Sequence, residues 1–307
     1  MRKSNKGIYI IGNGFDKGTI INIEWFKWCW IYADLLGGIM YKFNIILTEI
    51  CNANCSHCYM NSNSSKHKKT MSFEDVDKII KKIPINTISV TLTGGEIFLV
   101  KKLLFYTIKK IKEKNKNIKI ELESNGVYLY KNNNPQELLV KLKKMGVDSI
   151  RFSDDPFHED GGVDLEKVRN LKQYESDNTP VIKFLVQDKV VKIGKAKKLD
   201  NKYFEKRNCM NTNKTINTPY LFLNVNGDVF VCTWKCIPPI GNLINGSFND
   251  IEKKLEDDFF KLILSGNILN AINLFNKKEE YNKRIIDDYG ECSLCDATFC
   301  FEENNDD

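Results

Sequence analysis

Three cysteines, Cys51, Cys55 and Cys58, stand within eight residues directly after an apolar, β-branched run, Phe43 to Ile50. The run reads as a buried strand. Three thiols at C-x₃-C-x₂-C spacing then require a tight loop at its end, so the fold must hold a strand whose C-terminus opens on a metal-binding turn. The pattern that follows is regular. Strands are predicted at Thr87 to Leu92, Ile118 to Leu122, Asp148 to Ser153 and Val181 to Val186, with a short sixth at Val190 to Ile193. Helices alternate with them: Ser72 caps one running to about Ile83, Leu99 to Lys114 and Leu165 to Tyr174 form others, and Pro135 to Lys144 is opened by Asn134. Strands separated by helices make parallel β/α units. The expected class is therefore α/β, a partial (β/α)6 barrel over residues 40–200, with ligands gathered at the C-terminal ends of the strands.

After about residue 200 the alternation stops. Tyr220 to Val225 and Val229 to Cys232, joined by Asn226-Gly227, signal a β-hairpin, and helical stretches follow at Ile251 to Leu264 and Ile268 to Arg284. Residues 201–301 are expected to form a hairpin-plus-helix extension, and 302–307 a disordered acidic tail. Residues 1–39 differ in character. Leu36-Gly37-Gly38-Ile39 reads as a translated ribosome-binding sequence, so Met40 is expected to be the initiator and the preceding residues not native.

Ten cysteines, one at 29 and the rest in three groups, are the compositional anomaly. Residues 1–18 carry no apolar core with a cleavage site, so a reducing cytoplasm is expected and the cysteines read as metal ligands rather than disulfides. The charge of +6 is mild and its lysines lie on helix-like stretches, which argues for solvated faces and against a nucleic-acid groove. Residues 20–35 are interrupted by Glu24, Lys27 and Asp34, which argues against a membrane span. A three-cysteine zinc site is the competing reading of the first group, but zinc knuckles show C-x₂-C pairs and a nearby fourth ligand.

The residues at the strand ends carry the rest. Thr93-Gly94-Gly95-Glu96 ends the second strand, Glu123-Ser124-Asn125-Gly126 the third, and Ser153-Asp154-Asp155-Pro156-Phe157-His158 the fourth. Read alone, each is a turn: glycines allow close backbone approach, and Asn-Gly closes a strand. Together with the cysteine triad they resemble the radical S-adenosylmethionine (SAM) superfamily. The resemblance implies a [4Fe–4S] cluster on Cys51, Cys55 and Cys58, with an open iron for S-adenosyl-L-methionine. It implies that Gly94, Gly95 and Glu96 hold the methionine amino group, that Ser124 and Asn125 lie near the ribose and carboxylate, that Ser153 and Asp155 contact ribose or substrate, and that His57 packs beside the adenine. His158 is a candidate proton donor or acceptor.

The later cysteines resemble the auxiliary-cluster extension called SPASM, or its shorter form, Twitch. In that pattern a first cysteine (Cys209) precedes a hairpin ending in Gly-x₄-Cys (Gly227 to Cys232), then an Ile-Gly-Asn segment (Ile240-Gly241-Asn242), then clustered cysteines. The resemblance implies one auxiliary [4Fe–4S] cluster on Cys209, Cys232, Cys292 and Cys295. Cys236 and Cys300 are then candidate hydrogen-atom donors, and a zinc ribbon is the alternative. Such enzymes mostly modify peptides or proteins, by cross-linking or epimerisation, and draw electrons from a donor such as flavodoxin or ferredoxin. Maturation of a ribosomally made peptide is the expected function, with a strand edge or separate partner needed to bind the precursor. A small-molecule substrate, such as a nucleoside or cofactor precursor, is the alternative. A non-catalytic Fe–S or zinc protein is the alternative from another class.

Overall fold

The computed structural model describes residues 39–65, 67–206, 209, 218–274 and 279–299. Residues 1–38 of the proposed non-native leader, Cys29 among them, Cys300 and the acidic tail lie outside these residues. Five parallel strands make the core: β1 (Tyr41–Ile46), β2 (Thr87–Thr93), β3 (Lys119–Ser124), β4 (Ser149–Ser153) and β5 (Val181–Leu185). They lie in the order β5-β4-β3-β2-β1. Between them run α1 (Phe73–Lys82), α2 (Lys101–Lys114), the single turn α3 (Val127–Tyr130), α4 (Pro135–Lys144), α5 (Pro156–Asp160) and α6 (Leu165–Asn170).

The strands alternate in chemistry because one sheet face lies under helices and the other does not. Phe43 and Ile45, Val90 and Leu92, Ile120 and Leu122, and Ile150 and Phe152 are almost fully buried. Each such side chain contributes about 1.5–3 kcal/mol on leaving water. The intervening positions are polar: Lys42 and Asn44, Glu121 and Glu123, Ser149 and Arg151. Several of them line a cavity of about 870 Å³. The sheet thus has an apolar outer face and a polar inner one.

The sixth parallel strand is not Val190 to Ile193. That segment makes only an isolated bridge from Val190 to Phe204, followed by a 3₁₀ turn at Gly194–Lys198. The parallel position is taken by β6 (Tyr220–Leu223), which pairs with β1 on the opposite side of the sheet. The hairpin continues antiparallel through β7 (Asp228–Phe230) and β8 (Gly241–Asn242). Helices α7 (Phe248–Leu255), α8 (Asp258–Leu264), α9 (Ile268–Asn273), α10 (Glu279–Tyr289) and α11 (Glu291–Phe299) complete the described chain. Phe248 of α7 docks on the outer face of β1, with ring centroids 4.9 Å from Tyr41 and 6.1 Å from Phe43. The first strand is therefore clasped by both halves of the chain.

Candidate active site

The triad loop hangs from the end of β1, and two neighbouring segments hold it. Leu47 N–H donates to Thr93 O at 2.9 Å, while Gly95 N–H donates to Thr48 O at 2.7 Å and Glu96 N–H to Ile50 O at 2.8 Å. This zipper explains the glycines. A Cβ on Gly94 would meet Thr48 O at 2.4 Å, and one on Gly95 would meet Ile50 O at 2.2 Å. Close approach is needed, and the neighbour is the backbone leading into the cysteines. Backbone groups of Gly94 and Gly95 form part of the cavity wall.

Cys51, Cys55 and Cys58 all line the same cavity. Ala53 N–H donates to the Cys51 sulfur and Ser62 N–H to the Cys58 sulfur, each at 3.4 Å, and Asn125 Nδ2 reaches Cys51 Sγ at 3.7 Å. Burial pushes the Cys51 thiol up to about 11, against the pull of the Ala53 N–H. Burial and the two neighbouring thiols push Cys55 up to about 12. Two buried sulfurs and a partly buried one, with N–H donors aimed at Cys51 and Cys58, fit an iron–sulfur cluster, whose positive irons offset the cost of thiolates there.

Glu96 takes a different place from the one expected. It is fully buried, and its carboxylate accepts hydrogen bonds from Phe98 N–H (3.0 Å), Ser124 Oγ (3.0 Å) and Asn125 N–H (2.9 Å). These bonds tie the end of β2 to the end of β3, and Glu96 does not reach the cavity. Burial, against those donors, still holds its carboxyl up at about 6. Ser124 and Asn125 do line the cavity. The Asn125 amide donates to Asn52 Oδ1 at 2.9 Å, so it clamps the triad loop as well.

Asp155 also differs from expectation. It is the N-cap of α5, accepting from His158 N–H at 3.0 Å. Both its oxygens lie 2.9 Å from His158 Nδ1. Buried beneath the histidine, Asp155 orients that ring and leaves the cavity wall to Ser153 and His158. His57 packs at a tilt against Phe157 (5.0 Å) and meets the His158 ring edge-on (4.8 Å). Burial, with His158 beside it, lowers His57 to about 4, so it presents a neutral ring to the cavity.

The second group of thiols meets the first across one cavity. Cys209, Cys232, Cys236, Cys292 and Cys295 all line it. Burial raises the Cys295 thiol, with Cys232, Cys209, Cys292 and the Glu291 carboxylate adding to the effect in that order. Burial likewise pushes Cys232 up to about 12, although backbone N–H groups of Trp234, Lys235 and Cys236 point at its sulfur. Cys292 and Cys295 sit at i, i+3 spacing on α11, one face of a helix. Cys209 N–H donates to Glu291 at 2.5 Å. Cys236 is buried, and its thiol points to Trp234 O at 3.7 Å.

Sequence reasoning missed three features. Gly161 packs on the triad loop, where a Cβ would sit 2.8 Å from the Cys55 N and Sγ atoms; the Gly161-Gly162 pair was its only mark. Tyr59 bridges the two thiol groups, meeting Trp234 at 5.2 Å and feeling the charges of Cys58 and Cys232. On the inner sheet face Arg151 pairs with Glu121 at 2.8 Å and Glu123 at 2.5 Å, and Lys183 pairs with Glu121 at 2.6 Å. Alternating charge in successive strands was the available signal for this network.

The radical SAM superfamily profile matches residues 45–187. A Methanococcus maripaludis protein named as a GTP 3′,8-cyclase is 28% identical over 166 residues, covering 50% of this chain and 53% of that protein. A Bacillus subtilis protein named for peptide biosynthesis, YydG, is 32% identical over 118 residues, 38% of this chain and 36% of its own. The chain thus spans about half the length, or less, of these relatives. Among solved structures, BtrN in complex with AdoMet and 2-DOIA is similar with a TM-score of 0.53 at 15% identity, over 75% of this chain and 89% of BtrN. At that identity the likeness is one of fold.

Proposed function

The chain is a member of the radical SAM superfamily through the domain at residues 45–187, and from that premise we propose that it cleaves S-adenosylmethionine reductively and takes a hydrogen atom from a peptide or protein substrate. The observation that carries this reading is the gathering of Cys51, Cys55 and Cys58 in the wall of one large cavity at the C-terminal ends of the strands. A [4Fe–4S] cluster would be held by these three sulfurs, and when bound it would supply the electron that breaks a carbon–sulfur bond of S-adenosylmethionine, giving methionine and a 5′-deoxyadenosyl radical.

The chain's own residues do the rest. The backbone edge at Gly94 and Gly95 and the Asn125 side chain flank the triad and suit the amino and carboxylate groups of the methionine moiety. The neutral His57 ring offers a flat surface for the adenine. Ser124 and Ser153 offer hydroxyls for the ribose. His158, fixed by Asp155, can hold or release a proton at its outward Nε2. The cavity wall would shield a radical formed there from stray hydrogen-atom donors and oxidants.

Cys209, Cys232, Cys292 and Cys295 are proposed to hold an auxiliary [4Fe–4S] cluster. Their support is that burial and mutual repulsion raise the Cys295 thiol within this group, a cost that bound metal offsets. Cys236, in the same wall, is proposed to return a hydrogen atom to a substrate carbon radical: its S–H bond breaks, the C–H bond forms, and a thiyl radical remains. The Cys236→Ala variant should keep its iron and still form 5′-deoxyadenosine, yet lose the product that depends on that return. Cys300 remains the other candidate donor. A reductant such as flavodoxin or ferredoxin is proposed to supply the electrons.

A nucleotide substrate is the second reading, favoured by the relatives named as GTP 3′,8-cyclases. The charges of the cavity favour the peptide. Among its described lining residues the permanently charged cations are Lys42 and Arg151, matched by the carboxylates of Glu123 and Glu291, and Arg151 is already paired with two glutamates. A triphosphate needs more free positive charge than this. Anaerobic reconstitution with iron, sulfide, S-adenosylmethionine and dithionite tests both readings. 5′-Deoxyadenosine formed with bound iron supports the enzyme, and zinc without iron refutes it. Stimulation by GTP but by no peptide would select the nucleotide.

A further inference from the structure

Among the described strands β5 ends the sheet, and its outer edge has a specific chemistry. The register Ser149↔Val181 to Ser153↔Leu185, with Val181 N–H on Asp148 O (3.0 Å) and Leu185 O on Asp154 N–H (2.9 Å), turns the main chain of Val181, Lys183 and Leu185 towards β4. The main-chain groups of Ile182, Phe184 and Val186 therefore point outward. At Ile182 both are capped by side chains: the N–H donates to the Glu175 carboxylate, and the C=O accepts from Lys172 Nζ at 2.9 Å. No such cap meets Phe184 or Val186 among the described residues.

The same stretch is apolar and open. Val181, Leu185 and Val186 are 50%, 42% and 72% exposed, three of the seven large hydrophobic residues exposed among those described. An edge like this is normally blunted by charge, proline or a covering segment. Here it leads inward instead, since Leu185 and Gln187 both belong to the cavity wall that holds the triad. Charge points to the partner. Residues 183–198 contain six lysines and one aspartate; with Lys183 paired to Glu121 and Lys197 to Asp296, the stretch along and just beyond the edge still carries a net positive charge.

We propose that the open edge of β5 at Phe184–Val186 receives an extended acidic peptide, the substrate itself, which adds as a strand to the sheet and passes its next residues into the cavity. Main-chain hydrogen bonds hold the strand, and its alternate side chains cover Val181 and Leu185. The lysines beyond Gln187 attract its acidic groups. The proposal rests on the peptide reading of the cavity and adds how the peptide is held. A nucleotide has no row of amides to match this edge.

Val186→Pro tests it. Proline removes the outward N–H while leaving the β4 ladder intact, because that ladder uses Leu185. The probe is a fluorescein-labelled peptide alternating valine with glutamate or threonine, added to the reconstituted full chain. Anisotropy should show the wild type binding it about fivefold or more tightly than Val186→Pro, with Val186→Ala between the two. The peptide should also slow amide exchange at Phe184 and Val186. Formation of 5′-deoxyadenosine without peptide should be equal in all three proteins. No peptide binding, equal binding by Val186→Pro, or unprotected amides would overturn the docking site. Peptide modification that persists with equal affinity in Val186→Pro would remove the docking site and keep the peptide reading. Protected amides with no coupling to 5′-deoxyadenosine formation would keep the docking site and remove the substrate reading.

Discussion

At the scale of single residues, Glu96 is the strongest brace in the site. Glu96→Ala leaves Phe98 N–H, Asn125 N–H and the Ser124 hydroxyl buried without their acceptor. A loss of about 3–5 kcal/mol in denaturant unfolding is expected. The carboxyl also has a pH signature. Its folded value, about 6, lies above the unfolded 4.5, so the folded state binds the extra proton between those values. Its contribution is therefore most favourable below about pH 4.5 and is lost as pH rises through 6, by about 2 kcal/mol. Unfolding curves of the wild type and Glu96→Gln at pH 5 and 7.5 should diverge by that trend, since glutamine does not titrate. Gly95→Ala acts on the neighbouring backbone. Its methyl meets Ile50 O at 2.2 Å, so the triad loop must shift, and the variant should lose the triad's share of its reconstituted iron while its far-UV spectrum stays near wild type.

At the scale of elements, local signals set the structure where a cap or a period specifies it. Ser72 and Asp75 close a reciprocal capping box on α1, with Asp75 N–H on Ser72 Oγ at 3.0 Å and Ser72 N–H on Asp75 Oδ2 at 3.1 Å. Ser72→Ala should cost about 1 kcal/mol, measured by denaturant midpoint, with no change in iron content. Asn134 and Pro135 open α4 as expected. Elements whose reason is tertiary were not legible. The turn α5 looked like a loop because its cap, Asp155, also serves His158. Helix α11 has little amphipathic periodicity, since it turns cysteines to the cavity and other residues to α9 and α10. The segment at Val190 has strand composition but no neighbour in register, and it bends into a 3₁₀ turn on the triad loop. There Lys195 N–H donates to Cys58 O at 3.3 Å.

At the scale of the whole molecule, two thiol groups about 150 residues apart in sequence share one cavity wall. If each holds a cubane, reconstituted protein should carry roughly eight irons, falling to roughly four in Cys232→Ala/Cys295→Ala and to roughly four in Cys51→Ala/Cys55→Ala. The first double variant should still yield 5′-deoxyadenosine and the second should not. Sequence alone determined the strand-and-loop chemistry: C-x₃-C-x₂-C after a strand, glycines at the next strand end, and a β/α order that brings strand ends together. These follow from local spacing and periodicity, which neighbours in sequence decide. Only the tertiary structure decided which groups face the cavity. It turned Glu96 and Asp155 away into buried hydrogen-bond networks, because a buried carboxylate is held where donors converge. It set β6 beside β1 instead of β5, because strand pairing is chosen by packing across the whole sheet. Among the described residues that choice leaves the edge of β5 open beside the site.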